Sequence, residues 1–246
     1  MDFLIIGLVA FGASALTFFS GFGLGTLLLP AFALFFTTPI ALMATGIVHL
    51  LNNLFKGTLV WKLVDWPTVL RFGLPAIPSA ILGAFLLTYL DARIASIVIG
   101  IILILFAILE FQSWFQRLTF PRKYVSFGGI LTGFMGGLSG QQGAIRSMFL
   151  LKSDFDAKHY IATGVFIAVL IDLARLPTYV LGLRGASAEV SQHELLLIGF
   201  GTLCAFTGAW LGARYAKKTT IGLVRYVVAG LMLVIGTLLV FGIIGT

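Results

Sequence analysis

The stretch GGLSGQQGAIRSMFLL, Gly136 to Leu151, sets polar and flexible residues inside an otherwise apolar run. Ser139 and Gly140 are followed by Gln141, Gln142 and Gly143, and Arg146 comes one helical turn later. Glycines weaken a continuous helix and let the backbone turn. The helix that restarts after such a break has first-turn amides with no intrahelical acceptor and the positive end of its dipole, which together suit an anion. A cation in a membrane helix costs at least ~2.5–3.5 kcal/mol, so Arg146 is expected to face a cavity or a partner. Small residues alone could serve only close helix packing. The two glutamines and the arginine are not explained that way.

The first half carries the same device in FFSGFGLGTLLLP, Phe18 to Pro30. Ser20 can cap the helix after it, and Gly21, Gly23 and Gly25 permit the turn. At an offset of 119, Ser20-Gly21 matches Ser139-Gly140, Asn53 matches Asp172 and Lys56 matches Arg175. In NNLFK and IDLAR an amide or acid stands three residues before a cation, which on a helix puts both on one face. Asn52 and Asn53 add hydrogen-bonding capacity. Asp172 and His49 are candidate proton-sensitive groups, because an intramembrane ionisable residue is a candidate relay. The plainer readings are an Arg146–Asp172 structural pair, snorkelling by Lys56 and Arg175, and a packing hydrogen bond for His49. His159 and His193 read as solvated loop residues, and Pro75 and Pro78 as kinks in the third segment.

An enzyme reading competes. GLSG at Gly137–Gly140 and HLLNN at His49–Asn53 resemble the GxSG and HxxxN motifs of rhomboid intramembrane proteases, with Ser139 as nucleophile. A serine nucleophile needs a base within hydrogen-bond reach. The late histidines, His159 and His193, lie in the wrong context, and a nucleophile does not explain why Ser-Gly recurs in the first half. The sequence is read as a non-enzyme.

These residues must be positioned by membrane helices. The chain has 246 residues, 59% hydrophobic and 10% charged, a balance no soluble domain of this size needs. Apolar segments run over 3–36, 40–61, 67–90, 94–115, 124–151, 160–181, 194–213 and 221–244, about eight in all, and are expected to be helical. They fall into two pseudo-symmetric repeats, 1–120 and 121–246. The one cysteine, Cys204, excludes a disulfide framework, and neither a metal nor a cofactor is expected. The net charge of +7 fits basic cytoplasmic loops better than nucleic acid.

Charge also bears on topology. If all eight segments cross, the loop cations divide six against seven. If segments 1 and 5 instead turn back at their Ser-Gly breaks, one side collects Lys62, Arg71, Arg117, Arg122, Lys123, Lys152, Lys158, Arg214, Lys217, Lys218 and Arg225. Only Arg93 and Arg184 remain opposite. Eleven against two is a strong positive-inside bias, and it makes the repeats inverted. The arms of each hairpin are ~15 residues, or ~22 Å of helix, short for a full crossing.

The glycine-broken first segment ending in LLLPAF, the ALMATGIVHLLNNLFK after it, GFMGGLSGQQGAIRSMFLL and HYIATGVFIAVLIDLAR together resemble the TauE/SafE family of membrane transporters over essentially the whole chain. The resemblance implies two related halves of about four segments each, a multi-pass protein of the bacterial inner membrane, and movement of sulfite, sulfonates or other small organic or sulfur-containing anions. The second-half motif of that family is often a glycine run ending in proline; here it is SGQQGAIRS. The expectation is therefore a secondary transporter for a small anion held between the two breaks by alternating access. A passive anion channel is the alternative. The lipid bilayer is the other expected partner, and a second copy of the chain, as a homodimer, is a further candidate.

Overall fold

Aspartates at the ends of apolar runs fix where helices begin. The Asp65 carboxylate accepts the Thr68 N–H at 3.1 Å and the Asp91 carboxylate that of Ile94 at 2.9 Å, each satisfying a first-turn amide. The structure, a computed structural model, describes residues 1–20, 24–150, 157–185, 190–215 and 221–245. Among these the long helices are α1 (Asp2–Ser20), α2 (Leu24–Ala33), α3 (Thr38–Val60), α4 (Trp66–Thr88), α5 (Ala92–Phe111) and, after the single turn α6 (Ser113–Gln116), α7 (Val125–Ser139). Then come α8 (Gly143–Leu150), α9 (Ala157–Gly185), α10 (Gln192–Tyr215) and α11 (Ile221–Phe241). No strand occurs among the described residues.

The expected break in segment 5 falls where its glycine puts it. Segment 5 divides into α7 and α8 at Gly140, whose φ of 77° is a left-handed conformation that favours glycine. Segment 1 divides into α1 and α2. Gly21 and Gly23 lie outside the described residues, as does the side chain of Ser20.

Both broken segments fold back on themselves. Phe149 near the end of α8 stacks on Phe120, with ring centroids 4.5 Å apart, and meets the edge of Phe127 in the first turn of α7. The Met148 carbonyl accepts the Phe120 N–H at 2.9 Å. The end of α8 therefore returns to where α7 began. In the first half, Ile6 of α1 and Phe32 of α2 both lie over Gly201 of α10.

Glycine-to-carbonyl contacts set the directions. Gly129, Gly133 and Gly137 of α7 lie directly on the Phe72, Ala76 and Ala80 carbonyls of α4, so these helices run parallel at backbone contact. Gly208 and Gly212 of α10 sit in the same way on Phe11 and Ala15 of α1. The pairs Gly57–Phe166 and Gly46–Leu176 make α3 antiparallel to α9, while Trp66–Phe166 and Gly73–Leu170 make α4 parallel to it. Since α9 ends at Gly185 and α10 begins at Gln192, too short a connection to cross the bundle, α10 and with it α1 run against α9, and so along α3 and against α7. The two hairpins thus enter the bundle from opposite ends. Pro75 has no N–H to give the Arg71 carbonyl, and Ser126 of α7 donates its hydroxyl there instead, at 3.1 Å.

The outer surface is apolar. Leu70, Leu74, Ile81 and Phe85 of α4, Ile101, Leu105 and Ile108 of α5, and Leu195 and Leu203 of α10 are all exposed. Among the described residues, five helices are long and apolar enough to cross a membrane: Thr38–Leu63, Trp66–Thr88, Ala92–Phe111, Lys158–Gly182 and Gln192–Arg214. Exposed Trp61, Trp66 and Trp114 ring the end that also carries Lys62, Arg122 and Lys123, as interfacial aromatics do. The molecule is an all-α polytopic membrane protein.

Candidate functional site

The tips of the two hairpins meet inside the bundle. A Cβ placed on Gly25, in the first turn of α2, would stand 3.8 Å from the Gly140 carbonyl oxygen and 3.6 Å from Thr45 and His49 of α3. Thr26, next in α2, donates its hydroxyl to the Gln141 side-chain oxygen at 3.2 Å. Ser139 and Gly143 flank this turn and are buried with it.

Beside the tips lies a buried ionic cluster joining α3, α7 and α9. Asp172 of α9 accepts from Arg175 Nε at 2.9 Å and stands 2.8 Å from its Nη2. The same carboxylate oxygen accepts Gln142 Nε2 at 3.2 Å, and the other takes His49 Nδ1 at 2.6 Å. A carboxylate ion-paired in this way can only accept, so His49 Nδ1 carries the proton it faces, and Nε2 lies 3.3 Å from the Asn53 amide nitrogen. Arg175 also donates Nη1 to the Gly136 carbonyl at 2.9 Å, and the Tyr179 hydroxyl donates to the Gly137 carbonyl. Arg175 thus adds a second donor to the Gly136 carbonyl, which already accepts the Gly140 N–H at 3.0 Å, while Tyr179 caps the Gly137 carbonyl at the break.

A second polar group lies one to two turns along α3. The Asn52 amide, oriented to place its NH2 toward the Ala205 carbonyl at 3.1 Å, accepts from Lys56 Nζ at 3.2 Å and from Ser14 of α1 at 3.2 Å. Arg146 of α8 packs along Gly164 of α9, its Nε 3.4 Å from where a Cβ would stand. Lys56 is 5% and Arg146 7% exposed, so both expected cations are inside the protein.

The structure therefore gathers Gly25, His49, Asn53, Ser139, Gly140, Gln141, Gln142, Gly143, Asp172 and Arg175 around the hairpin tips. Asn52, Lys56 and Arg146 stand apart from the Asp172 carboxylate contacts. The plain alternative of an Arg146–Asp172 pair gives way to Arg175 and His49 as that carboxylate's bonded partners. Thr45 and Tyr179 were not singled out in the sequence. Tyr179 falls one turn after Arg175 on the same face, a spacing that could have signalled it. His193 is not a loop residue: it lies in the first turn of α10 and meets Asp2 at 2.7 Å.

The protease arrangement is not assembled. Ser139 donates its hydroxyl back to the Met135 carbonyl at 3.0 Å, while both His49 nitrogens face Asp172 and Asn53. Among the described residues no hydrogen bond joins Ser139 to a histidine.

A multi-pass helical bundle with two opposed, broken hairpins and cations buried beside them has the form of a membrane transporter. A family profile described as Sulfite exporter TauE/SafE matches residues 6–239. The chain belongs to that family, a family of membrane transporters. No curated protein and no solved structure matches it.

Proposed function

We propose that the chain is a secondary transporter that carries a small sulfur-containing anion, sulfite or a sulfonate, across the bacterial inner membrane by alternating access. The observation that carries this reading is the meeting of two hairpin tips, Gly25 on Gly140, in the middle of the bundle. Restarted helices place amide donors there, and Arg146 supplies positive charge one turn beyond. Asn52, Asn53, Gln141 and Gln142 offer hydrogen bonds, and Lys56 lines the approach. Arg175 is a positioning residue, because its donors are engaged by Asp172 and the end of α7. The inverted-repeat relation of residues 1–120 and 121–246 supplies the two related conformations that alternating access needs. The end bearing Lys62, Arg122 and Lys123 faces the cytoplasm by the positive-inside rule.

The test is flux of labelled sulfite, methanesulfonate and small carboxylates into proteoliposomes holding the full chain, with the Arg146→Gln variant alongside. Saturable sulfite or sulfonate flux that falls about tenfold or more in the variant is expected. Undiminished flux in Arg146→Gln removes that residue from the site, and flux that never saturates replaces the carrier with a channel.

A further inference from the structure

Besides Arg175 Nη2, which is ion-paired with Asp172 at 2.8 Å, three buried polar atoms on residues around the hairpin tips have no hydrogen-bond partner among the described residues: Thr45 Oγ1, Gln141 Nε2 and Gln142 Oε1. Their residues are 0%, 6% and 2% exposed, on α3 and on the two residues that lead into α8. An unsatisfied buried polar atom costs ~1–3 kcal/mol, so three on residues that meet at the hairpin tips point to a ligand that would satisfy them.

The chemistry of one of them is fixed. Asp172 is ion-paired with Arg175 and cannot donate, so the Gln142 group facing it at 3.2 Å is the NH2, and Oε1 is left as an acceptor. Around it the tips offer donors: the Thr45 hydroxyl, the Gln141 NH2 with its oxygen turned to Thr26, and the first amides of α8. A site for a fully ionised oxyanion would present donors alone, because an amide oxygen repels an oxyanion oxygen. Several donors and a single acceptor complement an anion that still carries one O–H.

We infer that the hairpin-tip site selects a singly protonated oxyanion, with Gln142 Oε1 accepting the substrate O–H while Thr45 and Gln141 donate to its other oxygens. This rests on the transport reading above and specifies the charge state of the cargo. Gln142 is then a specificity-determining residue, and Thr45 a further contact.

The experiment follows sulfite flux into proteoliposomes across sulfite's second ionisation. Methanesulfonate, a monoanion without O–H at every pH used, is the reference and is expected to move more slowly than hydrogen sulfite; methanesulfonate flux equal to or above that of hydrogen sulfite overturns the inference. Dividing one flux by the other removes the protein's own titrations, from His49 and Lys56 of α3, Asp172, Arg175 and Tyr179 of α9, and Arg146 of α8. In the parent the ratio is expected to follow the hydrogen sulfite concentration and fall as the dianion takes over. Gln142→Lys keeps a donor toward Asp172 but offers no acceptor; it is expected to lower the ratio at acid pH by about tenfold and flatten its pH dependence. Gln142→Met, without polar atoms, should lower the ratio similarly. A parent ratio that rises with the dianion, or the same profile in parent and both variants, overturns the inference while leaving the transporter intact. Absence of saturable flux for either anion in the parent overturns the transport reading, and this inference with it.

Discussion

Asp172 holds the centre of the molecule together, because its two oxygens collect donors from α3, α9 and the turn between α7 and α8. Both it and Arg175 are fully buried. Removing one member of such a pair leaves an uncompensated buried charge, at a cost of ~3–5 kcal/mol. Asp172→Asn and Arg175→Met are each expected to lower the unfolding temperature in detergent strongly. The double variant should lose clearly less than the two losses added, since contacting residues are not additive; simple additivity would show that the pair is not coupled. Tyr179→Phe, which frees only the Gly137 carbonyl, should cost ~1 kcal/mol. Half of this cluster was legible in the sequence. Asp172 and Arg175 stand three apart, a spacing that puts them on one helix face. The His49–Asp172 bond spans 123 residues, and no local pattern carries a contact that packing alone creates.

At the scale of elements, the hairpins depend on glycine for two separate reasons. Gly140 needs its left-handed φ of 77°, and a Cβ there would also stand 3.3 Å from Arg175 Nη1. Gly140→Ala is expected to cost ~1–2 kcal/mol from the backbone alone. Gly133 and Gly137 instead allow α7 to touch the α4 backbone, where any side chain meets a carbonyl that cannot retreat. Gly137→Val should abolish recovery of folded protein by size-exclusion chromatography. Gly199→Ala has nothing within 4 Å and should be neutral or stabilise by up to ~1 kcal/mol. Equal yields of all three would mean that the α4–α7 contact is not what holds the hairpin. The breaks themselves were readable because glycine conformational freedom is local to the chain. Which helix each hairpin would lie against was not, since small-residue faces occur on α1, α4, α7 and α10 alike.

For the whole molecule, the distribution of Lys and Arg bears more directly on how the chain lies in the membrane than the length of any segment. The 28-residue stretch 124–151 is long enough to cross a bilayer unbent; only the charge count and the Ser-Gly turn argued for a return. Contacts place Lys62 at the end of α3 and Lys158 at the start of α9 at the same end of the bundle, joined by the Asp65 N–H donating to Thr163 at 3.1 Å. Tyr89, 73% exposed, stands at the far end of α4. These three positions separate the two topologies. In a Cys204→Ala background, Lys62→Cys, Lys158→Cys and Tyr89→Cys are each exposed to a membrane-impermeant maleimide in intact spheroplasts and again after permeabilisation. Tyr89→Cys should label from outside, and the two lysine positions only after permeabilisation. An unbent crossing of segment 5 would move Lys158→Cys to the outside with Tyr89→Cys. A full reversal, with both lysine positions labelled from outside, would keep the hairpins and invert the protein in the membrane. Both outcomes that keep the hairpins give each its own aqueous side, the condition under which a solute held between their tips can be passed from one compartment to the other; an unbent segment 5 removes it.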